Sequence, residues 1–203
     1  MQNLSSFPHR FETQILDDVQ TRLARLARRR LRGTARKAAV LVPLCEVDGT
    51  ASVLFTRRSQ KVGTHKGQVS FPGGMLDAED PSAEAAALRE LQEEIGFPAE
   101  QVRVLGSFHD ARAITGVHVT PFVGYLGTVN VETLNLSEAE IDAVFTLKLT
   151  ELIDPQHHHA QSYGERGQLP VFDAGPFPVW GLTAHILAGV LQEAFELELA
   201  KLR

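Results

Sequence analysis

The amino-acid sequence predicts a single α/β or α+β sandwich domain over residues 1–203, and three observations carry that expectation. Helical segments stand at both ends and in the middle of the chain. Strand-like runs of differing spacing lie between them, which suits neither an all-helical bundle nor an all-strand barrel. With 43% hydrophobic residues in 203, the chain can bury one sizeable core without requiring a second.

The elements follow in order. Over residues 12–32, Ile15, Val19, Leu23 and Leu26 recur at helical spacing, and Arg28, Arg29, Arg30 and Arg32 cluster at the end. Two readings of that cluster stand: a polyphosphate or RNA contact, or a solvated helix terminus favoured by the helix dipole. Residues 38–45 and 52–56 read as strands joined through the turn formers Asp48 and Gly49. A glycine-punctuated segment from 63 to 74 leads to a second helix, with Asp80 as N-cap, Pro81 at its first position, a periodic run over 83–95 and Gly96 as the stop. Strand-like runs follow at 102–108, 117–126 and 144–149, and an amphipathic helix over 183–202 closes the chain. The first of these helices spans about 10–32 and precedes the rest of the domain. The run His157, His158, His159 reads as a surface loop, since adjacent histidines do not converge on one ion.

Composition excludes several classes of function. A net charge of −5 and a pI near 5.9 argue against a dedicated nucleic-acid binder, which needs an excess of Lys and Arg to neutralise phosphates. Cys45 is the single cysteine, so neither an intrachain disulfide nor a thiolate metal cage can form, and a reducing compartment fits. No stretch reads as a secretory signal or a membrane span, so a soluble cytoplasmic protein is expected. The amphipathic helices at the two ends leave a homodimer open.

The chemistry concentrates in Arg89, Glu90, Leu91, Gln92, Glu93, Glu94, Ile95, Gly96 and Phe97. On a helix, Glu90, Glu93 and Glu94 share one polar face, while Leu88, Leu91 and Ile95 form the buried stripe. Like charges so placed repel one another, and a hard cation with oxygen preference relieves the conflict. The alternative is an acidic face in solvent. The loop Phe71, Pro72, Gly73, Gly74, just upstream, lets backbone approach a ligand closely.

This stretch resembles the Nudix hydrolase signature G-x5-E-x7-R-E-U-x-E-E-x-G-U, with U apolar. The second half matches fully from Arg89 to Phe97, whereas the segment between Glu79 and Arg89 is two residues longer than the pattern, leaving Glu79 or Asp80 for the first glutamate's place. The resemblance implies a Nudix fold, an α/β/α sandwich around a mixed sheet with extra terminal helices, and hydrolysis by a Mg²⁺- or Mn²⁺-activated water. It implies Glu90, Glu94 and Glu93 as metal ligands with a carbonyl of the Gly73, Gly74 pair, Gly74 foremost. Glu93 is also a candidate base, and Arg89 orients the glutamates. Glu140, or else Glu138, resembles the family's later loop base.

Further upstream, Leu54 to Arg58, Ser59, Gly67 and Phe71 to Gly74 resemble the additional signature of coenzyme A pyrophosphatases, with Gly63 standing at that pattern's second arginine. The implied reaction cleaves the diphosphate of coenzyme A, giving 3',5'-ADP and 4'-phosphopantetheine. Arg57, Arg58, Lys61 and Lys66 are candidate anion receivers and Phe71 a further substrate contact; His65 or its neighbouring lysines could replace the missing arginine charge. Phe177 and Trp180 either stack on the substrate or close the core. Rival readings are hydrolysis of ADP-ribose, NADH or a dinucleoside polyphosphate, and a Nudix-fold module that binds a nucleotide without cleaving it.

Overall fold

The computed structural model describes residues 9–61, 66–163 and 167–199. Helix α1 (Thr13–Arg25) precedes β1 (Lys37–Val47) and β2 (Thr50–Arg58), followed by the short β3 (Val69–Ser70) and β4 (Gly73–Met75). Next come α2 (Ala83–Ile95), β5 (Arg103–Ser107), β6 (Ala111–Arg112), β7 (His118–Thr128) and β8 (Ile141–Lys148). The chain continues through α3 (Leu149–Ile153), β9 (His158–Ser162), β10 (Gln168–Phe172) and α4 (Gly181–Gly189), which runs on as a π-helical turn over Val190–Ala194.

The sheet is mixed. Its central strand β1 runs parallel to β7 and antiparallel to β2 and β4, while β8 pairs with β2 and both β5 and β6 pair with β7. Asp48 and Gly49 both take positive φ, 50° and 71°, which is the two-residue turn that matches strand twist in the β1–β2 hairpin. Because β1 is covered on both faces, its side chains alternate between two apolar layers. Ala39, Leu41 and Cys45 pack against Ala86, Ala87, Leu91 and Ile95 of α2. Val42 and Leu44 face the other layer, with Leu16, Val19 and Leu23 of α1 and Leu187 and Leu191 near the C-terminal end. The architecture is therefore an α/β/α sandwich about a mixed sheet, as expected.

Several local expectations change. Helix α1 stops at Arg25 instead of reaching residue 32, because the chain beyond it is held by long-range hydrogen bonds described below. Ser82, not Asp80, caps α2: its side chain accepts the Ala85 N–H at 3.1 Å. Gly96 ends α2 in the left-handed conformation, as the sequence implied. The last helix begins at Gly181 and is over by Ala194, and residues 200–202 of its expected span lie outside the described part. The histidine run is not a loop: His158 and His159 lie in β9, and the buried His158 ring sits 5.9 Å from that of Phe172. The apolar stripes of the two terminal helices are buried within the chain, where Arg22 donates to the Ala194 carbonyl and pairs with Glu196 at 2.9 Å.

Candidate active site

Everything in the acidic site is set by the seating of α2 against β1 and β4. Leu91 and Ile95 are fully buried, and burial of side chains this size stabilises by about 1.5–3 kcal/mol each. That anchoring turns the flank of the helix that carries Glu90 and Glu94 toward the glycine strand β4. Gly73 crosses β1 opposite Val40, and Gly74 lies opposite Ala39. A Cβ on Gly73 would collide with the Ala39 carbonyl oxygen, and one on Gly74 would overlap the Glu90 carboxylate. These two positions need glycine because backbone, not side chain, meets the carboxylates there.

Glu94 departs most from the reading of a solvated face. It is 1% exposed, its Oε2 has no hydrogen-bond partner, and its Oε1 lies 3.8 Å from Arg58 Nη1. Burial pushes its carboxyl up to about 8; Arg58 opposes the rise, and Glu90 and Glu140 add to it. Glu90, half-buried, is raised for the same leading reason, against the pull of Arg89. Glu93 is largely exposed.

Arg89 organises the cluster. Its Nη1 donates to Glu90 Oε1 at 3.0 Å and to Glu93 Oε2 at 2.8 Å, while Nε and Nη2 grip Asp80 Oδ1 and Oδ2, both at 3.0 Å. Of the two candidates, Asp80 and not the exposed Glu79 meets the arginine across the lengthened loop, with Asp77 a further, looser partner at 3.5 Å. The side-chain hydrogen bonds from Arg89 hold its carboxyl below the ordinary range. Glu140 follows a turn that enters β8, with its carbonyl accepting the Ser59 N–H at 2.7 Å, and its charge reaches both Glu90 and Glu94.

The donors fit a divalent cation. They are all oxygens, one of them is buried and unpartnered, and the glycine backbone leaves room beside Glu90. Among the described residues no three metal-binding side chains are gathered on one point as they stand, and Arg89 holds Glu90 and Glu93 instead.

Beside this cluster opens a cavity of about 890 Å³, within the range of small-ligand sites. Arg58, Gly73, Gly74 and Met75 line it on the sheet side near α2, and Trp180, Thr183 and His185, just before and within α4, line another wall. The wall is tied to the sheet by Thr183 Oγ1, which donates to the Val69 carbonyl at 3.1 Å. Trp180 stacks on Tyr163 with centroids 6.4 Å apart and planes 7° apart.

The anion receivers expected from sequence do not share one location. Arg58 faces the cavity and Glu94. Arg57, its neighbour on β2, lies over the Phe177 ring at 4.4 Å and beside Asp142 at 3.7 Å. Lys61 and Lys66 are exposed and do not line the cavity, and Gly63 and His65 lie outside the described residues. Phe71 forms part of the cavity floor but is 2% exposed and stacked on Phe55 at 5.3 Å, so most of it belongs to the core. Phe177 packs edge-on against Phe145. Arg29, Arg112, Tyr163 and His185 also line the cavity. Of these, only Arg29 carries a signal in the sequence, as a member of the basic cluster.

A sandwich in which a glycine strand meets a helix of arginine-tethered carboxylates beside a ligand-sized cavity is the layout of a Nudix-type hydrolase. The NUDIX domain model matches residues 35–166, and the chain belongs to that family of hydrolases. It is 40% identical over 176 residues to the mitochondrial coenzyme A diphosphatase NUDT8 of Homo sapiens, covering 84% of this chain and 75% of that protein. It is 35% identical over 197 residues to the uncharacterized Nudix hydrolase NudL of Photorhabdus laumondii, covering 95% and 98%. The MutT/nudix family protein from Enterococcus faecalis superposes with a TM-score of 0.54 at 19% identity, over 91% of this chain and 73% of that one, and shares the fold. No helix among the described residues is long and apolar enough to cross a membrane.

Proposed function

We propose that this chain hydrolyses the diphosphate bond of coenzyme A, releasing 3',5'-ADP and 4'-phosphopantetheine, with Mg²⁺ or Mn²⁺ bound at Glu90, Glu93, Glu94 and the backbone of Gly74. The observation that carries the reading is the position of Arg58. This motif residue stands between the ligand-sized cavity and the buried Glu94 carboxylate, joining a candidate substrate site to a candidate metal site. Likeness to a coenzyme A diphosphatase at 40% identity supports the substrate.

When bound, the cation would supply an activated water and offset charge on the phosphoryl oxygens. The chain's own groups do the rest. Arg89, itself fastened to Asp80, positions Glu90 and Glu93. Glu93, held by Arg89, and Glu140, whose charge reaches Glu90 and Glu94, are the exposed carboxylates assigned to accept the proton, and Arg58 orients the diphosphate. The lone, buried Cys45 suits a reducing compartment such as the cytoplasm.

The test is product analysis after incubation with Mg²⁺ or Mn²⁺ and a panel of coenzyme A, ADP-ribose, NADH and diadenosine polyphosphates. Metal-dependent formation of 3',5'-ADP, fastest from coenzyme A, is expected. Faster cleavage of another compound would reassign the substrate, and binding without cleavage of any would make the chain a nucleotide-binding module.

A further inference from the structure

The basic cluster after α1 has no part in the reaction as described, yet the structure builds it into the cavity wall. Residues 28–31 have no regular secondary structure. They are pinned by a set of hydrogen bonds to partners far along the chain. Arg28 Nη2 donates to Asp110 Oδ1 and to Thr120 Oγ1, and Nη1 donates to Ser107 Oγ. The Leu31 N–H donates to Asp110 Oδ2 at 2.9 Å, and the Asp110 N–H to the Arg29 carbonyl at 2.9 Å. The Arg29 N–H donates to His109 Nδ1 at 3.0 Å. That bond leaves the His109 proton on Nε2, which donates to Glu193 at 3.0 Å. An irregular segment fastened at this many points is a fixed wall.

The clamp sorts the charges. Arg28 faces inward and is neutralised by Asp110, whereas Arg29 lines the cavity with its guanidinium free of any hydrogen bond or ion pair among the described residues. Arg112 on β6 lines the same cavity and is equally uncommitted. Asp110 is the sole acid among the described lining residues, and its carboxylate is already engaged by Arg28, Leu31 and Thr120. The charge of Arg29 is felt inside: burial, and then Arg29, hold the facing His185 imidazole below its ordinary value. Among the described residues, this end of the cavity therefore offers two unpaired cations and no uncommitted carboxylate.

It is also distinct from the acidic site. Arg112 is opposite His118, His118 opposite Lys37, and the adjoining part of β1 pairs with β4, so β6 lies three strand spacings from β4. That is roughly 14 Å between backbones, less the reach of an arginine. A ligand anchored here and cut at α2 must carry a second anion away from its scissile diphosphate.

We infer that Arg29 and Arg112 form a second anion subsite, which takes the ribose 3'-phosphate of coenzyme A and selects it over nucleotides lacking that group. The inference rests on the proposed coenzyme A reading. Arg28 and Asp110 are positioning residues, holding the segment that delivers Arg29.

The experiment compares wild type with the R29A/R112A double variant. Two readouts are taken: kcat and KM on coenzyme A and 3'-dephospho-coenzyme A, and calorimetric binding of 3',5'-ADP and 5'-AMP. Both side chains are exposed, so the fold should survive, and a melting curve checks it. The variant should raise KM for coenzyme A roughly tenfold or more, with kcat and dephospho-substrate KM within about twofold. Wild type should bind 3',5'-ADP at least about tenfold tighter than 5'-AMP, and the variant should lose that preference. Equal KM losses on both substrates, or a preference for 3',5'-ADP that is absent from wild type or retained in the variant, would overturn the subsite. If wild type cleaves neither substrate, the coenzyme A reading falls, and the binding comparison still decides the subsite.

Discussion

The acidic face of α2 and the 28–31 wall both present charged side chains to one cavity system, but they are held by opposite means. On α2 the geometry is local: three glutamates and an arginine within six residues are aligned by a helix whose apolar stripe is anchored in the core. At the wall nothing local holds the chain, and Arg28 finds its partner 82 residues away. Disturbing the α2 face should therefore cost chemistry and little stability, whereas disturbing the wall should cost stability and substrate selection before chemistry.

Glu94→Gln would break that contrast most directly. The amide keeps the shape of a buried carboxylate whose Oε2 lacks a partner, so melting in EDTA should stay within roughly 3 °C of wild type or rise. Turnover with Mg²⁺ or Mn²⁺ should fall at least about a hundredfold. Near-normal turnover would remove Glu94 from the reacting end. Gly74→Ala comes next: its methyl overlaps the Glu90 carboxylate, and kcat should drop on the order of tenfold to a hundredfold with the α2 core intact by circular dichroism.

These two expectations also mark how much the sequence disclosed. The sandwich, the central strands and the helix with its carboxylates were legible because periodicity and glycine punctuation act over a few residues. That Glu94 is buried is not legible in its helix, because helical spacing says which carboxylates share a polar face but not what packs on it; β4 and Arg58 arrive from elsewhere and bury it. Asp80 suits a cap because Asp is a good N-cap, and it is also a candidate for the first glutamate's place; Ser82 takes the cap and Asp80 is drawn to Arg89. The extent of α1 was overread for a similar reason. The arginines after it suit a helix terminus, but Asp110, Thr120 and His109 compete for that backbone and side chain from beyond the reach of local pattern.

Arg28→Ala sharpens the comparison from the other side. It leaves Asp110 nearly buried without its guanidinium, and should lower unfolding free energy by about 2 kcal/mol while kcat changes less than about threefold. Asp110 adds a pH signature. Burial pushes its carboxyl up, but hydrogen bonds from Arg28, Leu31 and Thr120 outweigh that and hold it below the ordinary value. A group depressed in the folded state contributes stability that is fully present above its unfolded value, near 3.9, and is lost as pH falls through the folded one. Denaturant melts at descending pH should therefore show an acid limb that Asp110→Asn flattens; an unchanged limb in that variant would assign the acid sensitivity to other carboxylates.

The smallest expected effect separates two neighbours on one strand. Arg57 and Arg58 lie on opposite faces of β2, because successive strand side chains alternate. Arg58 reaches the cavity and Glu94, while Arg57 is occupied by the Phe177 ring and Asp142. Arg57→Ala should cost about 0.5–1 kcal/mol of stability through the lost ring contact and change KM for coenzyme A less than about twofold. Arg58→Ala should raise KM about tenfold for coenzyme A and 3'-dephospho-coenzyme A alike, because its place beside Glu94 puts it on the diphosphate. A selective loss on coenzyme A alone would move the 3'-phosphate from the 28–31 wall to β2, and substrate selection would then belong to the region beside Glu94.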